Sequence, residues 1–346
     1  MDSTTFSSAN RGFGARGVPG LPDVHRKAAA AAGSAADSLA LAQELSQDAP
    51  FPGQGRTGQL WSILATVAAA DLTAARSVEP HLDALAILEQ AGIAASPGSW
   101  GVFAAEGPGM ALNADQSAGS WKLTGRKPWC SLAAGLDHAV VTAHTGDGRR
   151  RAFAVDLRQP AVEPLPGRWV SRGLANVDSG PVDFHGAAAS PVGADNWYLD
   201  RPGFAWGGMG VAACWYGGAA GVARRLYASA AERKPDQIAL MLLGKADARL
   251  QAARAVLDFA AGEVDAGRAE GVDGAVLAHR VRSVVADAAE DILALTDHGL
   301  GPGPLALEED HARRTADLRI YLRQHHAERD SAALGRGLLQ GGDAPW

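Results

Sequence analysis

The sequence predicts a mostly helical α+β protein in three successive parts: an N-terminal helical domain, a central antiparallel β-barrel or sandwich, and a C-terminal four-helix bundle. Three observations carry this. Apolar residues recur at helical spacing to about residue 98, the texture breaks at Ser99 into short apolar runs, and the helical period returns after Pro202. The boundaries follow as 1–20 for a flexible lead-in, 21–98, 99–200 and 201–346.

The lead-in is Ser/Gly-rich and lacks the apolar stretch of a secretory signal. Gly12 to Gly17 spells G-x-G-x-x-G, but a dinucleotide turn must follow a buried strand and open a helix, and polar Ser7 to Asn10 precede it. Asp23 to Leu45 is Ala-rich and reads as one helix with Asp23 as N-cap, ended before Pro50 and Pro52. A second helix spans Gly58 to about Arg76 through Leu60, Ile63, Leu64, Val67 and Leu72, and a third runs from Pro80 to Gln90 through Leu82, Leu85 and Leu88. Gly92 stops it.

Gly101 to Ala105, Trp121 to Thr124, Ala139 to His144 and Ala152 to Leu157 then read as strands. Thr145-Gly146-Asp147-Gly148 is a hairpin loop between the last two, and no helix-length segment intervenes to build a parallel sheet. Beyond Pro202, four helical stretches are expected. They are Met209 to Ala231, a helix marked by Ile238, Leu242, Leu250, Leu257 and Val264, another marked by Leu277, Val281, Val284, Ala288 and Ile292, and Ala316 to Leu334.

Composition narrows the function. With 32 Lys plus Arg against 38 Asp plus Glu the net charge is −6, the wrong sign for a protein that works by neutralising phosphates. The longest apolar run, Ile63 to Ala70, stops at Asp71, far short of a membrane span. Cys130 and Cys214 form no C-x-x-C pair, which leaves zinc and a disulfide framework without support and makes a reducing cytoplasm the default. His325 and His326 diverge by about 100° on a helix and cannot share a metal, while His326 and Asp330, one turn apart, read as a surface pair. No metal site is expected. Glycine is high, 42 residues or about 12% against a usual ~7%, and the nine tryptophans outnumber the eight phenylalanines and, separately, the four tyrosines, a composition suited to a flat ligand or to close helix packing.

Trp121 to Ser131 reads as a strand, a turn at Gly125 and a second strand that would put Trp129 and Ser131 on one face, the indole over a planar ring and the hydroxyl at its edge; a buried core Trp beside a satisfied Ser is the alternative. Leu123-Thr124-Gly125-Arg126-Lys127-Pro128-Trp129-Cys130-Ser131, followed by Asp137 to Ala143, resembles the L-x-G-x-K-x-W-I-T-N…A-D-x-x-x-V-x-A segment of acyl-CoA dehydrogenases. Asp71 to Leu88, Phe103 to Gly109, Phe153 to Leu157 and Ser190 to Gly193 resemble, in register, that family's third-helix region, its F-A-x-T-E-P loop, its F-x-V strand and the segment before its bundle.

The resemblance implies FAD between the β domain and the bundle, with Trp129 against the isoalloxazine, Ser131 at its edge, and Phe103 and Ala105 in the cofactor loop. Gly299 and Gly301 stand for the remains of a G-G-x-G loop, and the family's R-x-x-F-G segment is missing between Glu232 and Ile238. The catalytic Glu of Y-E-G-T falls near His325, and its alternative early in the bundle near Val211, so His325 and Glu328 are the local candidate bases. The implied function is an FAD-dependent oxidoreductase acting on an acyl thioester or related small molecule. A flavin-dependent monooxygenase-like member and a non-catalytic relative are the alternatives. Implied partners are the small-molecule substrate, an electron-transfer protein and further copies of the chain as a homodimer or homotetramer, the last also from exposed-looking Trp215 and Tyr216.

Overall fold

Ala-rich sequence between Asp23 and Leu45 makes two helices rather than one, α1 (Leu21–Ala30) and α2 (Ala35–Leu45). Gly33 turns the chain at φ 71°, a conformation that side chains resist, and the Ser34 hydroxyl then caps α2 by accepting from the Asp37 amide. Asp23 is not a cap; it lies in the first turn of α1 and pairs with Arg26 and Lys27. The structure, a computed structural model, describes residues 20–117, 119–165, 169–232 and 234–341, so the G-x-G-x-x-G stretch lies outside the described residues.

The next expected boundary also moves. Asp71 ends α3 (Thr57–Ala70) and caps α4 (Leu72–Gln90), its extended backbone breaking the helix while its carboxylate accepts from the Ala74 amide at 2.9 Å. Pro80 does not begin a helix. It sits inside α4, where its missing N–H removes the donor that would serve the Arg76 carbonyl. Helix α3 is buried on nearly every side, which makes it part of the central core rather than an edge.

Among the described residues seven strands follow: β1 (Trp100–Phe103), β2 (Leu112–Ser117), β3 (Ser120–Lys127), β4 (His138–Gly146), β5 (Arg149–Asp156), β6 (Val162–Pro164) and β7 (Val182–Val192). Strands β4, β2, β3, β7 and β5 pair in that order, and β4 pairs back to β5, closing a five-stranded barrel; β6 adds to β7. The expectation of a purely antiparallel module is corrected at β4, which pairs parallel with β1 and, at Asn113 and His144, with β2, because the chain crosses through the β2–β3 hairpin before β4 returns beside them. The β4–β5 hairpin turns at Asp147 and Gly148, both at positive φ. Strand β7 escapes a propensity reading because its stretch from Gly186 to Ser190 is small and Ala-rich; its ladders to β3, β5 and β6 hold it extended.

The C-terminal part holds α5 (Trp197–Asp200), α6 (Pro202–Glu232), α7 (Gln237–Asp265), α8 (Gly271–Leu300), α9 (Pro302–Leu307), α10 (Glu309–Tyr321) and α11 (Glu328–Gln340). Helix α6 is shared between the parts, packing on α3 and on α8. At Gly217 it comes so close to α3 that an added Cβ would stand 2.1 Å from the Ala65 carbonyl oxygen, so glycine is required there. The expected helix from Ala316 to Leu334 is broken between α10 and α11, where Ala327 takes φ 45°. Trp215 is not exposed; it is fully buried in the core, and Tyr216 is partly buried. Among the described residues no helix is long and apolar enough to cross a membrane.

Candidate functional site

Helix α4 carries three charged residues on one face, Arg76, Glu79 and Asp83, spaced by three and four. Glu79 is 8% exposed, and burial pushes its carboxyl up to about 7; Asp83 repels it further, while Arg76 and Tyr321 oppose the shift. The nearest Arg76 nitrogen is 3.6 Å away, and the Tyr321 hydroxyl donates to Glu79 Oε2 at 3.5 Å. Burial raises Asp83 as well.

Glu79 and Asp83 form one wall of a cavity of about 380 Å³ between the helices, a size suited to a small organic ligand. Tyr198 and Leu199 of α5 and Phe204 and Val211 of α6 make an apolar side, and His279 and Arg282 of α8 face it with His326 and Asp330. A second chamber of about 200 Å³ shares Tyr198, Leu199 and Phe204 and reaches the barrel at Ala104, Thr142 and Arg150. The α5–α6 corner is therefore a wall common to both.

Arg282 donates to the Gly208 and Gln324 carbonyls at 3.0 and 2.7 Å, and its guanidinium lies 4.7 Å from the centre of a Trp215 ring. Arg201 donates to Gln90 Oε1 at 2.6 Å and stacks near Tyr198 and Trp197. Asp330 accepts from the His326 amide at 3.1 Å and lies 3.4 Å from His326 Nδ1. The break before α11 thus turns an expected surface pair into part of a cavity wall. Two buried polar atoms on cavity residues have no partner, His279 Nδ1 and Arg201 Nε.

The sequence candidates fall in several places. Trp129 does not lie on a strand with Ser131. It follows β3 at φ 59° and is 58% exposed, while Gly125 is no turn but a residue within β3, held at φ 122° against the Ala111 carbonyl. Ser131 Oγ accepts from Arg76 Nη2 at 3.2 Å and contacts Ser179 Oγ at 2.8 Å. Arg76 therefore joins the turn after β3 to Glu79 in the helical cavity. Phe103 is buried in the core of the β module, and Ala105 is exposed beside Glu106, which binds Lys127 Nζ at 2.8 Å and His144 Nε2 at 3.2 Å.

His325 does not border the cavity. Its ring packs edge-on against Trp215, 6.1 Å between centroids, with Nε2 3.7 Å from Asp330, and burial lowers its pKa. Glu328 is exposed in the first turn of α11. Gly299 serves packing, since a Cβ there would meet Leu226 Cδ1 at 2.6 Å, and Gly301 caps α8. Gly299 lies seventeen residues from Arg282 along α8, about 25 Å at the helical rise, and Gly301 lies beyond it past the helix end. Sequence reading passed over Arg76, Glu79, Asp83, His279 and Arg282. The signal was present as charges at helical spacing on a helix otherwise apolar enough to be buried. Among the described residues no cluster of three His, Cys, Asp or Glu could hold a metal ion.

No protein-family model matches the chain, and no curated protein sequence matches it. Solved structures do. KijD3 in complex with FMN and dTDP-3-amino-2,3,6-trideoxy-4-keto-3-methyl-D-glucose is 20% identical with a TM-score of 0.75, covering 94% of this chain and 92% of that one. Dibenzothiophene monooxygenase TdsC from Paenibacillus sp. A11-2 is 17% identical with a TM-score of 0.75, over 94% and 97%. The nitrososynthase from Micromonospora carbonacea var. africana is 18% identical with a TM-score of 0.76, over 92% and 93%. At these identities the likeness shows the fold. It spans nearly the whole chain and agrees with the helix, barrel, helix order.

Proposed function

We propose that this chain is a flavin-dependent oxidoreductase of the monooxygenase type, acting on a small molecule held in the helical cavity. The observation that carries the reading is the link from Ser131 through Arg76 to Glu79, which couples the turn where the resemblance seats a flavin edge to a ligand-sized cavity. The exposed Trp129 indole offers an uncovered planar wall, and the Ser131 and Ser179 hydroxyls offer edge partners, so a flavin fits the residues present. When bound, a flavin accepts two electrons from a reductant and, reduced, passes them to dioxygen so that one oxygen atom enters the substrate.

The chain's own residues do the rest. Tyr198, Phe204 and Val211 exclude water from the substrate, Arg282 is fixed by two carbonyls, and Glu79 takes up or releases a proton near neutral pH. FMN is favoured over the FAD that the resemblance implied. FMN is what KijD3 binds, the R-x-x-F-G segment is missing, and Gly299 is taken up in packing on Leu226. The monooxygenase type is favoured because TdsC and the nitrososynthase share the fold and His325 is turned onto Trp215. Dehydrogenation of an acyl thioester is a second reading that Glu79 supports as a carboxyl base in place of His325 or Glu328. A separate electron-transfer partner would reduce the flavin, and two or four copies of the chain would assemble through the bundle.

The test is titration of the purified protein with FMN and FAD, followed by the visible spectrum. Saturable FMN binding that weakens at least about tenfold in Trp129→Ala and less in Cys130→Ala is expected, since the Cys130 thiol is buried away from that indole. No binding of either flavin at micromolar concentration would overturn the reading in favour of a non-catalytic relative.

A further inference from the structure

The cations around the cavity are already engaged. Arg201 is held by Gln90 and two aromatic rings, Arg282 by two carbonyls and Trp215, and His326 shares Asp330. Arg76 is divided between Ser131 and Glu79. Asp83, in contrast, makes no hydrogen bond or ion pair among the described residues, although it borders the cavity one helical turn from Glu79. A carboxylate withdrawn from bulk water is costly; the Arg201 charge offsets part of that cost without touching Asp83, and a ligand that brings a cation into contact relieves more of it.

We propose that the cavity takes a small molecule with an apolar body and one protonated amine, the ammonium lying between Asp83 and Glu79 and giving a proton to Glu79. In that transfer one N–H bond breaks, its electron pair stays on nitrogen as the lone pair, and an O–H bond forms on the Glu79 carboxylate. The ammonium becomes a neutral amine, and no oxidant is consumed. The apolar body lies against Tyr198, Phe204 and Val211. This substrate class rests on the reading of the cavity as the substrate chamber, and the free lone pair is the form on which an oxygen-inserting reaction acts.

The groups facing Glu79 are Arg76 and Asp83 on α4, Arg282 on α8 and Tyr321 at the end of α10, with Tyr198 of α5 and Cys214 of α6 close enough to feel its charge. Across the cavity stand Arg201, His279, His326 and Asp330. Burial holds His279 toward its neutral form and Asp330 stays ionised, while burial brings Glu79 to about 7, so Glu79 changes charge near neutrality.

The experiment uses benzylamine and its neutral isostere benzyl alcohol as probes, with binding read from tryptophan fluorescence at about pH 6 and pH 8. Benzylamine keeps its charge across this window, so its affinity should rise about tenfold as Glu79 ionises, while that of benzyl alcohol stays flat. Glu79→Gln should remove the rise, and Asp83→Asn should weaken benzylamine about tenfold while the rise remains. Equal binding of the two probes at pH 8, or an unchanged rise in Glu79→Gln, would overturn the amine site. Flavin absorbance in the same samples separates the readings. Amine binding without flavin binding would support this site and sink the flavin reading, and the reverse result would sink the amine site alone.

Discussion

Glu79 shows how one side chain ties stability to pH. Its folded pKa, about 7, stands above the unfolded value near 4.5, so the folded state holds a proton that the unfolded chain releases. The stabilisation from this protonated carboxyl is complete below about pH 4.5, falls away as pH rises toward 7, and is flat beyond. Gln cannot ionise. Glu79→Gln should therefore lose less stability between pH 4.5 and 8, by about 3 kcal/mol, in urea unfolding. Parallel pH profiles for the two proteins would show that the carboxyl is ionised in the fold. The same residue marks what a sequence conceals. Glu79 stands in plain view before Pro80, but its raised pKa comes first from burial, and the groups around it include Tyr321 and Arg282, more than two hundred residues away in the chain. His325 and Glu328 could be named from a motif position, yet the turn at Ala327 sends one ring onto Trp215 and the other side chain to solvent.

At the scale of elements, the ends of helices carry long-range connections. Asp265, the last residue of α7, accepts from the Gly55 amide at 3.1 Å and from the Thr57 amide and hydroxyl at 3.0 and 2.5 Å, which caps α3 from another part of the chain. Asp265→Ala should cost about 1–3 kcal/mol in thermal unfolding without altering flavin affinity, because the cap lies outside the cavity wall. An unchanged melting temperature would mean that solvent serves those donors equally well. Helical periodicity read the long elements α6, α7 and α8 readily, since each buries a continuous apolar stripe. Breaks were harder. Gly33, Asp71 and Ala327 each interrupt a run whose pattern continues across them, and the pattern reports burial, not backbone direction. The β7 strand was silent for the opposite reason, having a partnered backbone with side chains too small to signal it.

The whole molecule leaves apolar surface on the outer side of the bundle. Ile238, Leu240, Met241 and Phe259 of α7 are each 42% exposed or more, as is Tyr227 near the end of α6. Met241 and Phe259 are eighteen residues apart, five full turns, so they share a face along the helix. A scatter of single apolar residues is ordinary on a protein surface, but several large ones on one helix offer a surface for a second copy of the chain. Buried Trp215 contributes nothing to this face. A second copy pairing α7 against α7 would cover the row under a two-fold axis, in which Met241 of one copy can meet Phe259 of the other. Light scattering at micromolar concentration should return a particle of at least twice 35.6 kDa. Phe259→Lys should shift it toward the single chain, because a charge within such a contact loses its hydration without gaining a partner. A wild-type particle of 35.6 kDa would remove the interface, and a dimer untouched by Phe259→Lys would place it on another face.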